Sequence, residues 1–225
     1  MPIRAITLDL DDTLWPFGPV AVRVQAALAA WMAEFAPATA ARFGPETARE
    51  TFLAVREERP DLAHRIADIR REALRRMLTA AGEDPALADA AVALTTETRQ
   101  RVDLYPEVPA ALDRLAARVP LLAVTNGNAD LERTGVARWF TGLVSAGELG
   151  VAKPAPEIFH AACARLRLAP ADVLHAGDDL ALDVAGGLAA GMPVAWVHRD
   201  LAGDPPPGVL RCRDLTELAD AVEAA

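Results

Sequence analysis

Cysteine is scarce in the 225-residue sequence, which contains only Cys163 and Cys212. Two cysteines cannot build a disulfide framework, and they lack the spacing that would form a zinc knuckle with the four histidines. We therefore expect a reducing, cytoplasmic environment. Long apolar runs are missing too, since the uncharged stretch 184–197 contains three glycines and a proline and is shorter than the ~18 residues of a membrane span. No apolar signal region precedes Asp9, so export is not expected either.

Positive charge is in deficit, because 23 lysine and arginine residues face 32 aspartate and glutamate residues and give a net charge of −9. A chain with this balance is poorly suited to displace counterions from nucleic acid or to adhere to an anionic membrane, so neither is expected as a partner. The composition is 52% hydrophobic and 24% charged, which is too apolar for a disordered chain and fits one large domain or two small ones.

Lysine occurs once, at Lys153, and every other basic residue is an arginine. One interpretation is that an ammonium group at this position reaches a crowded phosphate as a compact charge, which a planar guanidinium cannot do. The alternative is a surface lysine that has survived by chance, since most lysines are exposed.

Hydrophobic periodicity divides the chain into two kinds of structure. Residues 3–8 are typical of a buried strand, whereas the region from residue 20 to residue 104 shows only helical periodicity, in segments near 20–36, 46–58, 61–81 and 86–103. The sequence predicts an α/β fold, with a Rossmann-like parallel sheet and helices on both faces built from residues 1–15 and 105–225. Residues 16–104 are expected to form an inserted all-helical cap domain, joined by proline-bounded hinges.

Strands and helices alternate in the second part of the chain. Helices are expected near 107–118, 129–138, 155–166, 180–190 and 214–224, and strands near 120–125, 142–145, 172–176 and 193–197. Because parallel strands present their carboxyl ends at one edge of a sheet, the polar residues that follow these strands are expected to lie close together.

Two carboxylates follow the first predicted strand, at Asp9 and Asp11. Side chains two positions apart on an extended chain share a face, so both are expected in one crevice. Neighbouring carboxylates repel, and they need a divalent cation, a lysine or a proton between them. The alternative is an Asx turn at the end of the strand.

The second group of polar residues begins with Thr125 and Asn126, which follow the strand near 120–125. A hydroxyl and backbone N–H groups at a strand-to-helix junction can hold phosphate oxygens. Asn126 and Gly127 are also a strong hairpin signal, but the helix expected over 129–138 argues against a hairpin.

Acidic residues also follow the strand near 172–176, at Asp178, Asp179 and Asp183. Asp178 can point into the same crevice, while aspartates at this position can equally cap the next helix. A carboxylate pair, a hydroxyl, the ammonium of Lys153 and further carboxylates at one sheet edge suit phosphoryl transfer. Hard oxygen ligands favour Mg²⁺.

These segments resemble, in order, the four motifs of the haloacid dehalogenase superfamily: residues 9–14, Thr125-Asn126, Lys153-Pro154, and residues 177–183. The resemblance implies that Asp9 is a nucleophile that forms an aspartyl-phosphate and that Asp11 is the general acid and base. It also implies that Asp9, the main-chain carbonyl of Asp11 and Asp178 hold Mg²⁺. The phosphoryl oxygens would be held by Thr125, Asn126 and Lys153, and the supporting carboxylates would be Asp183 and Asp179.

Residues 121–128 and 174–186 are similar, within this superfamily, to bacterial flavin mononucleotide phosphatases, some of which act on a phosphorylated pyrimidine intermediate of riboflavin synthesis. The implied partner is a small-molecule phosphate ester. Trp15 and Phe17 could offer ring-stacking surface to it, whereas Trp31 and Phe35 are expected to pack between helices. His175 is expected to be a buried, hydrogen-bonded histidine.

Several different activities are compatible with these motifs. Hydrolytic dehalogenation fits poorly, because the dehalogenases of the superfamily do not keep the second aspartate, which is Asp11 here. A sugar-phosphate phosphatase and a phosphomutase both stay open. A non-enzymatic phospho-acceptor switch would share the paired aspartates, the threonine and the lysine, but the helical insertion argues against it.

Overall fold

The computed structural model describes residues 3–199 and 203–224. Their contacts divide the chain into two compact units, one formed by Met1–Pro16 with Val102–Ala225 and the other by Phe17–Arg101. The chain enters and leaves the second unit once, so that unit is an insertion into the first. Its action as a cap over a site stays a prediction.

The inserted unit is helical throughout its described secondary structure. Its helices are α1 (Phe17–Phe35), α2 (Pro37–Arg42), α3 (Pro45–Glu58), α4 (Ile66–Ala81) and α5 (Leu87–Arg99), with a one-turn 3₁₀ helix at Pro60–Leu62. Buried side chains from α1, α4 and α5 form the main core, among them Met32, Leu74 and Val92. On α4 the buried positions Ile69, Ala73 and Met77 recur every four residues, as one face of a helix requires.

The other unit contains a six-stranded sheet in the order β3-β2-β1-β4-β5-β6, with every neighbouring pair parallel. The strands are β1 (Ala5–Leu8), β2 (Leu121–Thr125), β3 (Phe140–Ser145), β4 (Val173–Gly177), β5 (Val194–Val197) and β6 (Leu210–Cys212). All the residues of β1, β2, β4 and β5 are buried, as strands covered on both faces require. The predicted α/β fold class is confirmed.

Helices cover this sheet in two groups. They are α6 (Val108–Ala116), α7 (Ala146–Leu149), α8 (Pro156–Leu166), α9 (Ala185–Ala189) and α10 (Leu215–Ala224). Helix α6 packs beside α10, and Arg114 of α6 pairs with Glu223 of α10 at 2.8 Å. Helix α8 packs beside α9 and buries Ile158 and Phe159 against Val124 of the sheet. No helix among residues 3–199 and 203–224 is long and apolar enough to span a membrane.

The helix predicted over 129–138 is wrong, because local polar groups end it after one turn. The Asp130 carboxylate accepts hydrogen bonds from the N–H groups of Glu132 and Arg133, at 2.9 and 3.1 Å. Gly135 then turns the chain with a φ of +78°, a conformation that closes a helical turn. A one-turn 3₁₀ helix at Ala137–Trp139 leads into β3. Since β2 and β3 are parallel, residues 126–127 do not form a hairpin, as expected.

Two further differences concern the last part of the chain. The predicted helix over 180–190 begins as a π-helical turn, Leu180–Val184, and only then continues as α9. The short edge strand β6 was not expected from the sequence, since two of its three residues, Leu210 and Arg211, are exposed and give little hydrophobic signal.

Candidate active site

The candidate site lies at the carboxyl ends of three adjacent strands, β2, β1 and β4. In the sheet Leu8 is level with Ala123 on one side and with Ala176 on the other. Asp9, Thr125 and Asp178 therefore follow at nearly the same height along the sheet. This register brings the three segments together at one end of the sheet, as the sequence predicts.

Lys153 connects two of the predicted carboxylates. Its Nζ donates to Oδ1 of Asp9 at 2.5 Å and to Oδ1 of Asp183 at 2.6 Å. The lysine is only 5% exposed, so this charge is not a solvated surface group. Of the two interpretations of the single lysine, the structure therefore excludes the surface one.

Asn126 holds the main chain of Lys153 rather than facing outward. Its Nδ2 donates to the Lys153 carbonyl at 3.0 Å, and its Oδ1 accepts from the Lys153 N–H at 2.8 Å. Both polar atoms of the side chain are used in this way, and contact between Asn126 and a phosphoryl group stays a prediction. Asn126 fixes the loop that carries the lysine.

Asp183 accepts hydrogen bonds on both of its oxygens. Oδ1 accepts from Lys153 and from Nε2 of His175 at 3.0 Å, and Oδ2 accepts from the Asp179 N–H at 3.1 Å. Gly177 makes room for this carboxylate, since a Cβ at Gly177 would lie 2.3 Å from the Asp183 Cγ. Asp183 therefore supports Lys153 from a tightly enclosed position.

Asp179 has a different role from that of the expected supporting carboxylate. Its Oδ1 accepts from the N–H groups of Ala181 and Leu182, at 2.7 and 2.9 Å, and so caps the following turn. Its carboxylate does not belong to the acidic cluster found in the described part of the chain. Asp179 contributes to the site through its backbone N–H, which donates to Asp183.

Asp11 and Asp178 are each held by a neighbour from the segment after β1. Trp15 donates from Nε1 to Oδ1 of Asp11 at 2.8 Å, and the Thr13 hydroxyl donates to Oδ1 of Asp178 at 3.2 Å. Trp196 also donates to the Asp178 carbonyl at 2.6 Å. Both carboxylates thus have defined orientations.

The aromatic residues expected to contact a substrate divide into two cases. Trp15 is 0% exposed, so the expectation of a stacking surface is corrected: its ring is buried, and its N–H orients Asp11. Phe17 belongs to the inserted unit and is 40% exposed. Trp31 packs against the core of that unit, with Phe35 at 5.3 Å between ring centroids.

The Thr125 side chain is buried at the end of β2, where its hydroxyl oxygen accepts from the Gly127 N–H at 3.0 Å. The hydroxyl proton is not used in this bond and can be donated. Contact between Thr125 and a phosphoryl group stays a prediction.

The acidic cluster consists of Asp9, Asp178 and Asp183, whose nearest carboxylate oxygens all lie within 4.8 Å of one another. When these three groups and Lys153 are all ionised, two negative charges are left unbalanced. Burial and the charges of Asp183 and Asp12 raise the pKa of Asp178 to about 6. A divalent cation would supply the missing charge, and oxygen donors at this spacing suit Mg²⁺. The residues present therefore fit the metal that the resemblance implies.

The same charges set the protonation of the other groups. Burial raises the pKa of Asp9 well above its ordinary value, and the charges of Asp183 and Asp178 act in the same direction, while Lys153 opposes them. Burial also acts to raise the pKa of Asp183, but Lys153 and His175 outweigh it and hold that pKa well below its ordinary value. Burial lowers the pKa of His175, which favours the neutral imidazole.

Comparison with known proteins agrees with this geometry. A family model described as haloacid dehalogenase-like hydrolase matches residues 3–191. The chain belongs to this family of hydrolases. The 5-amino-6-(5-phospho-D-ribitylamino)uracil phosphatase YigB of Escherichia coli (strain K12) is 33% identical over 200 residues, which cover 87% of this chain and 84% of that protein.

Two other relatives have different activities in their names. A glyceraldehyde 3-phosphate phosphatase of Methanopyrus kandleri is 31% identical over 217 residues, which cover 91% of this chain and 88% of that protein. A crystal structure described as a 2-haloacid dehalogenase from Pseudomonas syringae pv. Tomato DC3000 superposes with a TM-score of 0.92 at 34% identity, covering 99% of this chain and 98% of that one. The family is therefore shown, and relatives named for two chemistries share the fold.

Residues that the sequence interpretation did not assign to the site include Thr7, Thr13, Gly177 and Trp196. Each contacts an acidic residue or His175, and each comes from a strand or from the turn directly after one. Thr13 and Gly177 lie inside the motif segments themselves, and that position is the signal by which the sequence could have identified them as site residues.

Proposed function

We propose that the chain is a Mg²⁺-dependent phosphatase that hydrolyses a small phosphomonoester through an aspartyl-phosphate on Asp9. The observation that carries the proposal is the second carboxylate, Asp11, two residues after Asp9 and oriented by Trp15 at 2.8 Å. An alkoxide leaving group needs a proton donor, whereas a halide leaves without one. A proton-transferring group beside the nucleophile therefore favours ester hydrolysis over dehalogenation.

The residues divide the work as follows. Asp9 attacks phosphorus, and the bond from phosphorus to the ester oxygen breaks while Asp11 gives its proton to that oxygen. Asp11 then removes a proton from water, which attacks the aspartyl-phosphate and releases inorganic phosphate and free Asp9. Lys153 and the Thr125 hydroxyl offset the negative charge on the transferring group.

Asp9 and Asp178, with the main-chain carbonyl of Asp11, would hold Mg²⁺. When bound, the ion supplies charge neutralisation and orients the phosphate oxygens. Asp183 is committed to Lys153, His175 and the Asp179 N–H, so we assign it to positioning the lysine instead of to direct coordination.

The substrate class that we propose is a ribityl phosphate attached to a heteroaromatic ring. The name of the Escherichia coli relative, which aligns with 87% of this chain, specifies such a compound, 5-amino-6-(5-phospho-D-ribitylamino)uracil. Flavin mononucleotide carries the same ribityl phosphate. We place the reaction in a reducing cytosol, since both cysteines are free and buried.

A substrate panel tests this function. The purified chain is assayed for phosphate release from 5-amino-6-(5-phospho-D-ribitylamino)uracil, flavin mononucleotide, glyceraldehyde 3-phosphate and phosphoserine, with Mg²⁺ and with EDTA. Halide release from a 2-haloacid is measured in parallel. We expect Mg²⁺-dependent phosphate release, highest for the ribityl phosphates. A higher kcat/KM for glyceraldehyde 3-phosphate would overturn the substrate class, and halide release without phosphate release would overturn the phosphatase.

Two additional measurements, of isomer formation from a sugar phosphate and of the mass of the intact chain, distinguish a phosphatase from a phosphomutase and from a phospho-acceptor switch. A phosphomutase would convert a sugar phosphate into its isomer without net phosphate release. A phospho-acceptor switch would give a long-lived acyl phosphate on Asp9 with no turnover, which mass spectrometry of the intact chain detects. Either result would contradict the proposal.

A further inference from the structure

A buried series of hydrogen bonds begins at Thr7 on β1 and ends at Asp9, the residue directly after that strand. The Thr7 hydroxyl is 2.9 Å from Nδ1 of His175, and Nε2 of the same ring is 3.0 Å from Oδ1 of Asp183. Asp183 contacts Lys153, which contacts Asp9. Thr7 and Asp9 are two residues apart, so their side chains share one face of the strand. The proposed mechanism uses Asp183, Lys153 and Asp9 from this series of hydrogen bonds. It gives no role to Thr7 or His175.

The pairing of strands in the sheet places Thr7 and His175 side by side. Thr7 and His175 are register partners across the parallel pair β1 and β4. Both are fully buried, and the imidazole packs edge-on against Phe159 with 4.8 Å between ring centroids and 80° between planes. The ring therefore has a fixed position, with one nitrogen at Thr7 and the other at Asp183.

The direction of the second hydrogen bond follows from the chemistry of its partners. Asp183 is ionised beside Lys153, and a carboxylate only accepts hydrogen bonds. Nε2 of His175 must therefore carry a proton and donate it. Oδ1 of Asp183 then has two donors, Lys153 and His175, while Oδ2 has the Asp179 N–H, so both oxygens are fixed.

We propose that His175 is a positioning residue for the reaction: by donating from Nε2 to Asp183, it fixes the carboxylate that holds the Lys153 ammonium beside Asp9. This inference rests on the proposed function only for its kinetic consequence. Without the imidazole donor, one oxygen of Asp183 is held by Lys153 alone, and the carboxylate can turn and draw the ammonium away from Asp9.

Two substitutions separate positioning from packing. In His175→Gln the amide nitrogen can take the place of Nε2 and donate to Asp183, whereas His175→Met fills similar space with no donor. We expect His175→Met to lower kcat about 10- to 100-fold, as is typical for partners that orient groups at a metal site, and His175→Gln to keep most of the activity. A residue that only packs in an apolar environment would give the opposite order.

A third variant removes the hydrogen bond between Thr7 and His175, at the first step of the buried series. Thr7→Val keeps the shape of the side chain and deletes the hydroxyl at Nδ1, so it should lower kcat less than His175→Met. It remains informative if His175→Met does not fold. The control is His160→Gln, because His160 is an exposed histidine on α8 whose Nε2 lies 3.2 Å from the Ala190 carbonyl, outside the site. We expect wild-type kcat for this control.

A spectroscopic measurement tests the inference even if the chain has no phosphatase activity. Nitrogen-15 NMR of histidine-labelled wild-type protein reports which ring nitrogen carries the proton, and the resonance missing in His175→Gln assigns His175. We expect Nε2 to be protonated. An Nδ1–H tautomer with bare Nε2 would overturn the proposal, and so would equal or higher kcat in His175→Met than in His175→Gln. Absence of turnover in the wild type would overturn the proposed function alone.

Discussion

Substituting Gly177 by alanine should disable the site by displacing one carboxylate. The added Cβ would lie 2.3 Å from Cγ and 2.6 Å from Oδ2 of Asp183. Since carbon atoms make favourable contacts from about 3.5 Å outward, the Asp183 carboxyl must move by about 1.2 Å. Lys153, 2.6 Å from Asp183, loses this partner or follows it away from Asp9. Displacements of about 1 Å cost about 100-fold in rate.

The assay is steady-state hydrolysis of p-nitrophenyl phosphate at saturating Mg²⁺, with urea unfolding of the same preparations. We expect kcat to fall about 100-fold, and the free energy of unfolding to fall by about 1–3 kcal/mol, as is typical when a packed region receives an extra methyl group. Gly44→Ala is the matched control, because its backbone is extended and a Cβ there meets no atom within 4 Å. Wild-type kcat in folded Gly177→Ala protein would refute the requirement for this position of Asp183.

Three further predictions concern single groups. Lys153→Arg should be nearly as inactive as Lys153→Ala, both losing at least about 100-fold in kcat, and an active arginine variant would show that charge alone suffices. Asp11→Asn should lose about 10²–10⁴-fold in turnover. It should still release one equivalent of p-nitrophenol, a leaving group that needs little protonation, and accumulate phosphoenzyme, so normal turnover would contradict the role of Asp11. Burial and the charges of Glu217 and Asp214 raise the pKa of Cys212 to about 12. Cys212 should therefore react with iodoacetamide at pH 8 far more slowly in native than in urea-unfolded protein, which peptide mass spectrometry measures. Equal rates would contradict the burial of this thiol.

Strand and helix types in the α/β unit could be predicted because burial leaves a continuous apolar signal. Strands β1, β2, β4 and β5 are buried along their whole length, and each is followed by polar residues. The strand order could not be obtained in this way, because pairing between β1 and β4 joins residues such as Thr7 and His175 that are 168 positions apart. Periodicity carries no information on such pairings.

The wrong helix over 129–138 has a local cause that periodicity does not detect. The Asp130 side chain supplies the hydrogen bonds of one turn, and Gly135 adopts a positive φ that ends it. The apolar spacing of the segment fits a helix, but these two residues determine where the chain leaves the helical conformation. Turn chemistry therefore outweighs periodicity over such a short segment.

The partners of two site residues within the protein could not be predicted, for a similar reason. An amide such as Asn126 and an indole such as Trp15 can bind a ligand or another part of the chain equally well. Only the fold shows that residue 126 lies beside the main chain of Lys153 and that the Trp15 N–H lies beside Asp11. The residue types could be predicted to belong near the site, whereas their partners required the structure.

The single lysine illustrates how a compositional observation acquires a physical reason. Its ammonium lies between Asp9 at 2.5 Å and Asp183 at 2.6 Å, in a position that is almost closed to solvent. A guanidinium carries the same charge on a wider planar group, and it would separate the two carboxylates or leave one of its N–H groups without a partner. In a sequence whose other basic residues are all arginines, these contacts are the reason to expect that the space between the two acids accepts a compact ammonium and not a guanidinium.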